Sequence, residues 1–253
     1  MSAPGRTPLI ERTAPWGEIV RALAAAQKSN RNAQAYSRWI NRPFGRLFAA
    51  TAYKLGMGPN QVSLVSACFT FTGIALIATM TPGVAMGLLV SALLVIGYAL
   101  DSADGQVARL RGGGSLAGEW LDHVLDAFKM SSFHLAVAIM WFRNLDGWPV
   151  ASTLIPIGYA VVASVFFFAI ILTDLLERGA GRKKADRRAG DEKAPIWTSL
   201  AGIPVDYGFL SLVMVLLGWL PVWRVVYIAL AACNALLLLL QLGRWYVRLS
   251  RDA

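Results

Sequence analysis

The sequence predicts an all-α, polytopic membrane protein with six transmembrane helices preceded by a cytoplasmic amphipathic juxtamembrane helix. Three observations carry that expectation. Hydrophobic residues make up 56% of the 253 and charged residues only 15%, where a soluble domain carries about a quarter charged residues. From Leu55 to Leu100 there are 46 consecutive residues without a charged side chain, and about 20 apolar residues cross a bilayer as a helix. The 24 Lys and Arg, against 15 Asp and Glu, give a net charge of +9 and fall almost entirely between the apolar stretches. This composition excludes a disordered chain, a collagen and a disulfide scaffold. A basic, apolar chain fits either a nucleic-acid binder with a large core or a membrane protein with basic loops, and the placement of the charges decides for the membrane.

Each helix follows from its boundaries. The long uncharged run breaks once, at Thr81-Pro82-Gly83, a turn signal containing a helix breaker. It therefore reads as two helices, 60–80 and 84–101. A third runs from Gly118 to Phe142, with Glu119, Asp122, Asp126 and Lys129 in its first turns. A fourth lies within Gly147 to Thr173. A fifth runs from Val205 to Leu220, closed by Pro221, and a sixth from Val222 to Arg244.

Orientation follows from the basic loops. Nine Lys and Arg precede the first helix, seven lie between Arg178 and Lys193, and Arg244, Arg248 and Arg251 close the chain. Arg109 and Arg111 join the second and third helices, and the opposite side has only Arg143 and Arg224. Both termini are thus expected in the cytoplasm, in the inner or plasma membrane of a cell.

The organisation expected is a cytoplasmic segment over 1–32, an amphipathic interfacial helix over 33–55 and a six-helix domain over 56–250, with 1–13 disordered. Residues 33–54 mix Trp39, Ile40, Phe44, Leu47 and Phe48 with Arg38, Arg42 and Arg46, the pattern of a helix lying on a leaflet, with Pro43 bending or dividing it. No sustained apolar region marks a signal peptide in the first 50 residues. Trp141, Trp148, Trp197, Trp223 and Trp245 fall near span ends, as an interfacial belt would place them. Cys68 and Cys233 sit inside spans as packing material.

The chemistry concentrates in Asp101 to Asp126, DSADGQVARLRGGGSLAGEWLDHVLD. Asp101 and Asp104 are three apart, and Asp122 and Asp126 four apart, so each pair shares one helix face. A short loop lets the pairs converge. Four carboxylates that close repel one another unless a cation holds them, and an oxygen-only set suits a hard divalent ion. A helix macrodipole accounts for Glu119, but Asp122 and Asp126 lie one and two turns into an apolar helix, where ionisable groups are costly. Gly105, Ala108 and Gly118 leave backbone open to a ligand, and Arg109 is placed to take a phosphate in bidentate fashion. Gly112-Gly113-Gly114 reads as a flexible loop.

Asp101-x2-Asp104-Gly105-x2-Ala108-Arg109-x8-Gly118-x3-Asp122-x3-Asp126 resembles the signature of the CDP-alcohol phosphotransferases, with all eight fixed positions and every gap kept. Gly58-Pro59-Asn60-Gln61-Val62-Ser63 likewise resembles the start of the first helix in that family. The resemblance implies that Asp101, Asp104 and Asp122 ligate a divalent metal, Mg²⁺ or Mn²⁺, with Asp126 beside it and shared by a second ion. It implies that Gly105, Ala108, Arg109, Gly118, Asp104 and Asn60 line the nucleotide site and that Asp126 is the general base on the acceptor hydroxyl. Metals would neutralise the pyrophosphate and the leaving CMP. The partners implied are a CDP-linked donor, a small alcohol or lipid acceptor, membrane lipids and a second copy of the chain, with no nucleic acid.

The donor is expected to be CDP-diacylglycerol, giving a phosphatidyl transfer that makes phospholipid. The Asp-His-x2-Asp-Ala wording is also near the choline and ethanolamine phosphotransferases, which move a head group to a lipid. Several phosphatidyltransferases for glycerol phosphate or inositol phosphate carry Lys or Arg directly after the last Asp. Ala127 stands there, which weighs against those acceptors. Lys129 is placed either to hold an acceptor phosphate or to snorkel to the headgroups. His123 is expected to pack between helices, and Asp174 and Asp206 to be boundary charges. A cation transporter using the same carboxylates would need ionisable groups in the first, fourth and sixth spans, which offer almost none.

Overall fold

A computed structural model describes residues 9–27, 34–181, 199–200 and 202–250, and every regular element among them is helical. The basic run from Arg182 to Lys193, Trp197 and Arg251 lie outside the described residues.

Among the described residues, five helical stretches are long and apolar enough to cross a membrane: Pro59–Thr79, Val84–Leu110, Leu116–Arg143, Val150–Gly179 and Tyr207–Ser250. The chain fits an integral membrane protein. The first three are the helices α3 (Pro59–Thr79), α4 (Val84–Leu110) and α5 (Leu116–Arg143). The fourth is a 3₁₀ turn at Val150–Thr153 leading into α6 (Leu154–Gly179). The fifth joins α7 (Tyr207–Val213), a 3₁₀ stretch (Met214–Trp219) and α8 (Leu220–Ser250).

That fifth stretch is not straight. Asn234 Nδ2 donates to the Pro204 carbonyl at 2.6 Å, whereas a straight helix would hold residues 30 apart at about 45 Å. Met214–Trp219 continues along α4 towards its start, where Gly218 meets Val84, and the chain doubles back just after it. The boundary expected at Pro221 falls within two residues of the one observed, between Trp219 and Leu220. Pro221 sits in the first turn of α8, where a missing N–H costs nothing.

α4 is the central element, packed on α3, α7 and the Met214–Trp219 stretch. Small residues permit these crossings. At Gly97 the α3 backbone comes so close that Ser66 Oγ donates to its carbonyl at 2.8 Å, and a Cβ there would overlap Thr70 Oγ1. The interior is filled by Val90, Leu94, Phe133, Val137, Met214 and Leu217, among others.

α4 also runs nine residues past its expected end at 101, because its outer side is covered. Helix α1 (Trp16–Ala25) and helix α2 (Arg42–Lys54) lie against it, and Ile19, Leu23, Ala49, Ala103, Val107 and Leu110 form a second, fully buried core. α1 falls in the segment read from sequence as cytoplasmic and partly disordered. Residues 9–13 of that segment are in place too: Leu9 N donates to the Leu110 carbonyl at 2.9 Å, and Tyr53 Oη donates to the Ile10 carbonyl at 2.6 Å. Residues 1–8 lie outside the described ones. The division expected at Pro43 takes the form of a π-helical turn, Ser37–Asn41, ahead of α2, with Pro43 in the first turn of α2.

The aromatic belt is corrected at two positions. Trp141 and Trp223 are fully buried, packed with Tyr227, Tyr159 and His134 at the end of the bundle away from the aspartates. Arg224 is 2% exposed and lies over the rings of Trp141 and Trp148, at 5.3 and 5.7 Å. It donates to the Asn144 carbonyl and pairs with Asp146 at 3.2 Å, which explains how a charge is kept inside. Cys68 and Cys233 are exposed on the helix surfaces and are not packing material as expected.

Candidate active site

The last turns of α4 carry Asp101, Asp104, Gly105, Ala108 and Arg109, and the first turns of α5 carry Gly118, Asp122, Asp126 and Lys129. The link between them reverses at Gly112 and Gly113, which have φ of 86° and 124°, a region glycine enters without strain. Ser115 caps α5 by accepting from Gly118 N at 3.0 Å. Arg111 pins the other side of the turn, donating to the Gly56 and Met57 carbonyls at 2.9 Å each.

Carboxylate oxygens of Asp101, Asp122 and Asp126 lie within 4.8 Å of one another. That is a compact, half-buried, oxygen-only donor set, and it fits a hard divalent cation. Asp104 stands outside this group. It is buried and accepts from Ser63 Oγ at 2.5 Å, so the first turn of α3 orients it.

The nucleotide residues expected from sequence gather around the same point. A Cβ on Gly118 would come within 3.2 Å of both Asn60 Oδ1 and Ser115 Oγ, so Asn60 at the start of α3 faces the start of α5. Among the described residues, a Cβ on Gly105 would meet only Arg109 Nη1, at 3.6 Å. Ala108 is buried and Arg109 half-buried. Gly58 N donates to Gln61 Oε1 at 2.7 Å, a cap that fixes where α3 starts and hence where Asn60 and Ser63 point.

Lys129 does not snorkel. Its ammonium lies 2.5 Å from Asp126 Oδ1 and 3.7 Å from Asp101 Oδ1, over the faces of Tyr207 and Tyr98 at 5.0 and 5.8 Å. A small crevice opens beside it between α3 and α5, lined by Ser63, Ser66, Thr70, Asp101, Asp126 and Lys129 and flanked by Phe71.

Asp206 is also more than a boundary charge. It is 1% exposed and accepts from Gly208 N at 3.0 Å, Tyr36 N at 3.0 Å and Ser37 N at 3.4 Å. One carboxylate thus caps α7 and the start of the juxtamembrane helix together. Burial raises its pKa above the ordinary carboxylate range, while the amide donors pull the other way. Tyr36 stacks on Tyr98 with centroids 6.1 Å apart, and Tyr98 meets Tyr207 edge-on at 5.4 Å. Through these rings the Asp206 cap reaches the walls around Lys129. Near the mouth, Arg178 pairs with Glu119 at 2.6 Å and with Asp174. His123 is part-exposed, 3.8 Å from Asp122 and 3.9 Å from Glu119, and does not pack between helices.

Sequence reasoning missed Ser63, Tyr98, Tyr207 and Asp206 as parts of the site. Ser63 lay within the recognised Pro59-Asn60 stretch and was the one available signal.

The family model described as CDP-alcohol phosphatidyltransferase matches residues 57–236. No curated protein matches the chain. The matched stretch covers most of the chain, so the protein belongs to the CDP-alcohol phosphatidyltransferase family, whose members transfer a phosphatidyl or phosphoalcohol group from a CDP-linked donor.

Proposed function

We propose that this member of the family is a metal-dependent phosphatidyltransferase, moving the phosphatidyl group of CDP-diacylglycerol to an alcohol hydroxyl with release of CMP. The convergence of Asp101, Asp122 and Asp126 within 4.8 Å supports this most directly. Those three, with Asp104, are the residues that would hold Mg²⁺ or Mn²⁺, as two ions. When bound, such ions neutralise the pyrophosphate and the charge left on CMP.

The protein's own groups do the rest. Asn60, Gly105, Ala108, Arg109 and Gly118 surround the space for the CDP group, and Arg109 is the guanidinium available to its phosphates. Asp104, fixed by Ser63, faces the same space. Asp126 takes the proton of the acceptor hydroxyl as that oxygen attacks phosphorus. It faces the crevice through which a hydroxyl would approach.

The reversal after Met214–Trp219 supports reading 207–219 and 220–244 as two separate crossings, six in all. Both termini would then share a side, and the excess of Lys and Arg supports a cytoplasmic position for that side and the active site. The basic segments suit anionic headgroups there. The chain would work as a homodimer. The test is to offer the purified protein CDP-diacylglycerol with Mg²⁺ and a panel of alcohols. Acceptor-dependent CMP release is the expected result, and its absence with every alcohol, and with CDP-choline and CDP-ethanolamine as donors, would refute the reading.

A further inference from the structure

The crevice beside Asp126 carries a buried positive charge. Lys129 Nζ is 2.5 Å from Asp126 Oδ1, on a side chain 7% exposed, and it lines the crevice beside that carboxylate. Behind it, the faces of Tyr98 and Tyr207 are taken by this lysine. The other charged groups facing the ammonium are Asp101 and Asp126. Both also belong to the proposed metal-binding set, so carboxylate charge committed to a divalent ion no longer offsets Lys129.

From this arrangement we propose that Lys129 selects the acceptor: it favours a hydroxyl compound bearing an acid group, phosphate or carboxylate, and disfavours ammonium alcohols. The inference rests on the phosphotransfer reading above. A cationic acceptor would share the crevice with a buried like charge. An acid group near the reacting hydroxyl would gain a charge-assisted bond to the ammonium. The absence of a basic residue directly after Asp126 then loses its weight against charged acceptors. Lys129 brings the cation from the next turn of α5, on the face that carries Asp126.

Matched acceptors test this on the full chain in detergent with Mg²⁺ and CDP-diacylglycerol. Glycerol is compared with glycerol phosphate and glycerate, inositol with inositol phosphate, and all with choline and ethanolamine. The acid-bearing member of a pair should show kcat/KM at least tenfold above its neutral counterpart, with ammonium alcohols lowest. The phosphate and carboxylate arms tell which acid is read. Lys129→Met should erase the preference mainly through KM, and Lys129→Arg should keep it. Calorimetry without donor gives a second readout: glycerol phosphate should bind the Mg²⁺-loaded protein, and Lys129→Met should abolish that binding. Equal or better use of neutral or ammonium alcohols would overturn the proposal. So would acid binding unchanged in a Lys129→Met protein whose melting temperature matches wild type. Absence of CMP release with every acceptor, while Lys129-dependent binding persists, would instead count against phosphotransfer.

Discussion

Ser63 donates to Asp104 across 2.5 Å, joining the first turn of α3 to the one motif carboxylate that stands apart from the other three. A bond to a charged acceptor in a buried setting is worth about 1.5–3 kcal/mol. Ser63→Ala should therefore lower kcat/KM for the CDP-linked donor by about tenfold or more. Steady-state CMP release at varied donor concentration measures it, and an unchanged value would show that Asp104 needs no help from α3.

Asp126→Asn removes the proposed base and one metal-facing oxygen while keeping the side-chain size. CMP release should fall by two or more orders of magnitude, as expected for loss of a general base acting together with a metal ligand. Gel filtration and thermal melting should stay close to wild type. Undiminished CMP release by a folded variant would remove Asp126 from the chemistry.

The Asp206 cap gives a stability prediction with a pH dependence. Asp206→Ala strands the amides of Tyr36, Ser37 and Gly208 and should cost about 1–3 kcal/mol, read as a lower melting temperature in detergent. The carboxyl of Asp206 is raised above its ordinary value of 3.8 by burial, so the folded protein holds its proton to higher pH than the unfolded chain does. Stability from this group is lost as pH rises from 3.8 through the raised value. Asp206→Asn lacks that loss and should gain on wild type as pH rises across the window.

Gly97 tests the crossing that sets the site's depth. A Cβ there would overlap Thr70 Oγ1 and come within 3.1 Å of the Thr70 amide, which is backbone and cannot swing away. Gly97→Ala should destabilise by about 1–3 kcal/mol through overpacking. It should also reduce activity, since α3 carries Asn60 and Ser63. A melting temperature equal to wild type would mean that the two helices separate freely.

Much of the fold was legible because membrane spans are written in composition. Uncharged runs, Thr81-Pro82-Gly83 and the Gly112-Gly113-Gly114 turn locate α3, α4 and α5 almost directly. The aspartates were legible for a similar reason: helical spacing places Asp101 near Asp104 and Asp122 near Asp126 whatever the rest of the chain does. Asp206, Trp141 and Trp223 were misread, and the two readings of Lys129 left open, because their partners lie on other elements. A lysine near a span end snorkels or turns inward according to what stands opposite it, here Asp101 and two tyrosines. A tryptophan near a span end faces headgroups unless an arginine such as Arg224 and its neighbours enclose it. Helix α1 escaped notice because a single turn-spaced pair, Ile19 and Leu23, is too short a periodic signal to separate from a polar leader.

The bond from Tyr36 to Asp206 joins residues 170 apart. During synthesis, at about 5–20 residues per second, the ribosome needs roughly ten seconds or more after Tyr36 has been made to supply its carboxylate partner. The start of the juxtamembrane helix therefore waits uncapped while α3, α4, α5 and α6 are already being inserted. Assembly of the aspartate-bearing mouth is thus a late event in biogenesis, completed only when the chain returns for its final hairpin, and a nascent protein stalled before Asp206 would carry all four motif aspartates without the clamp that encloses them.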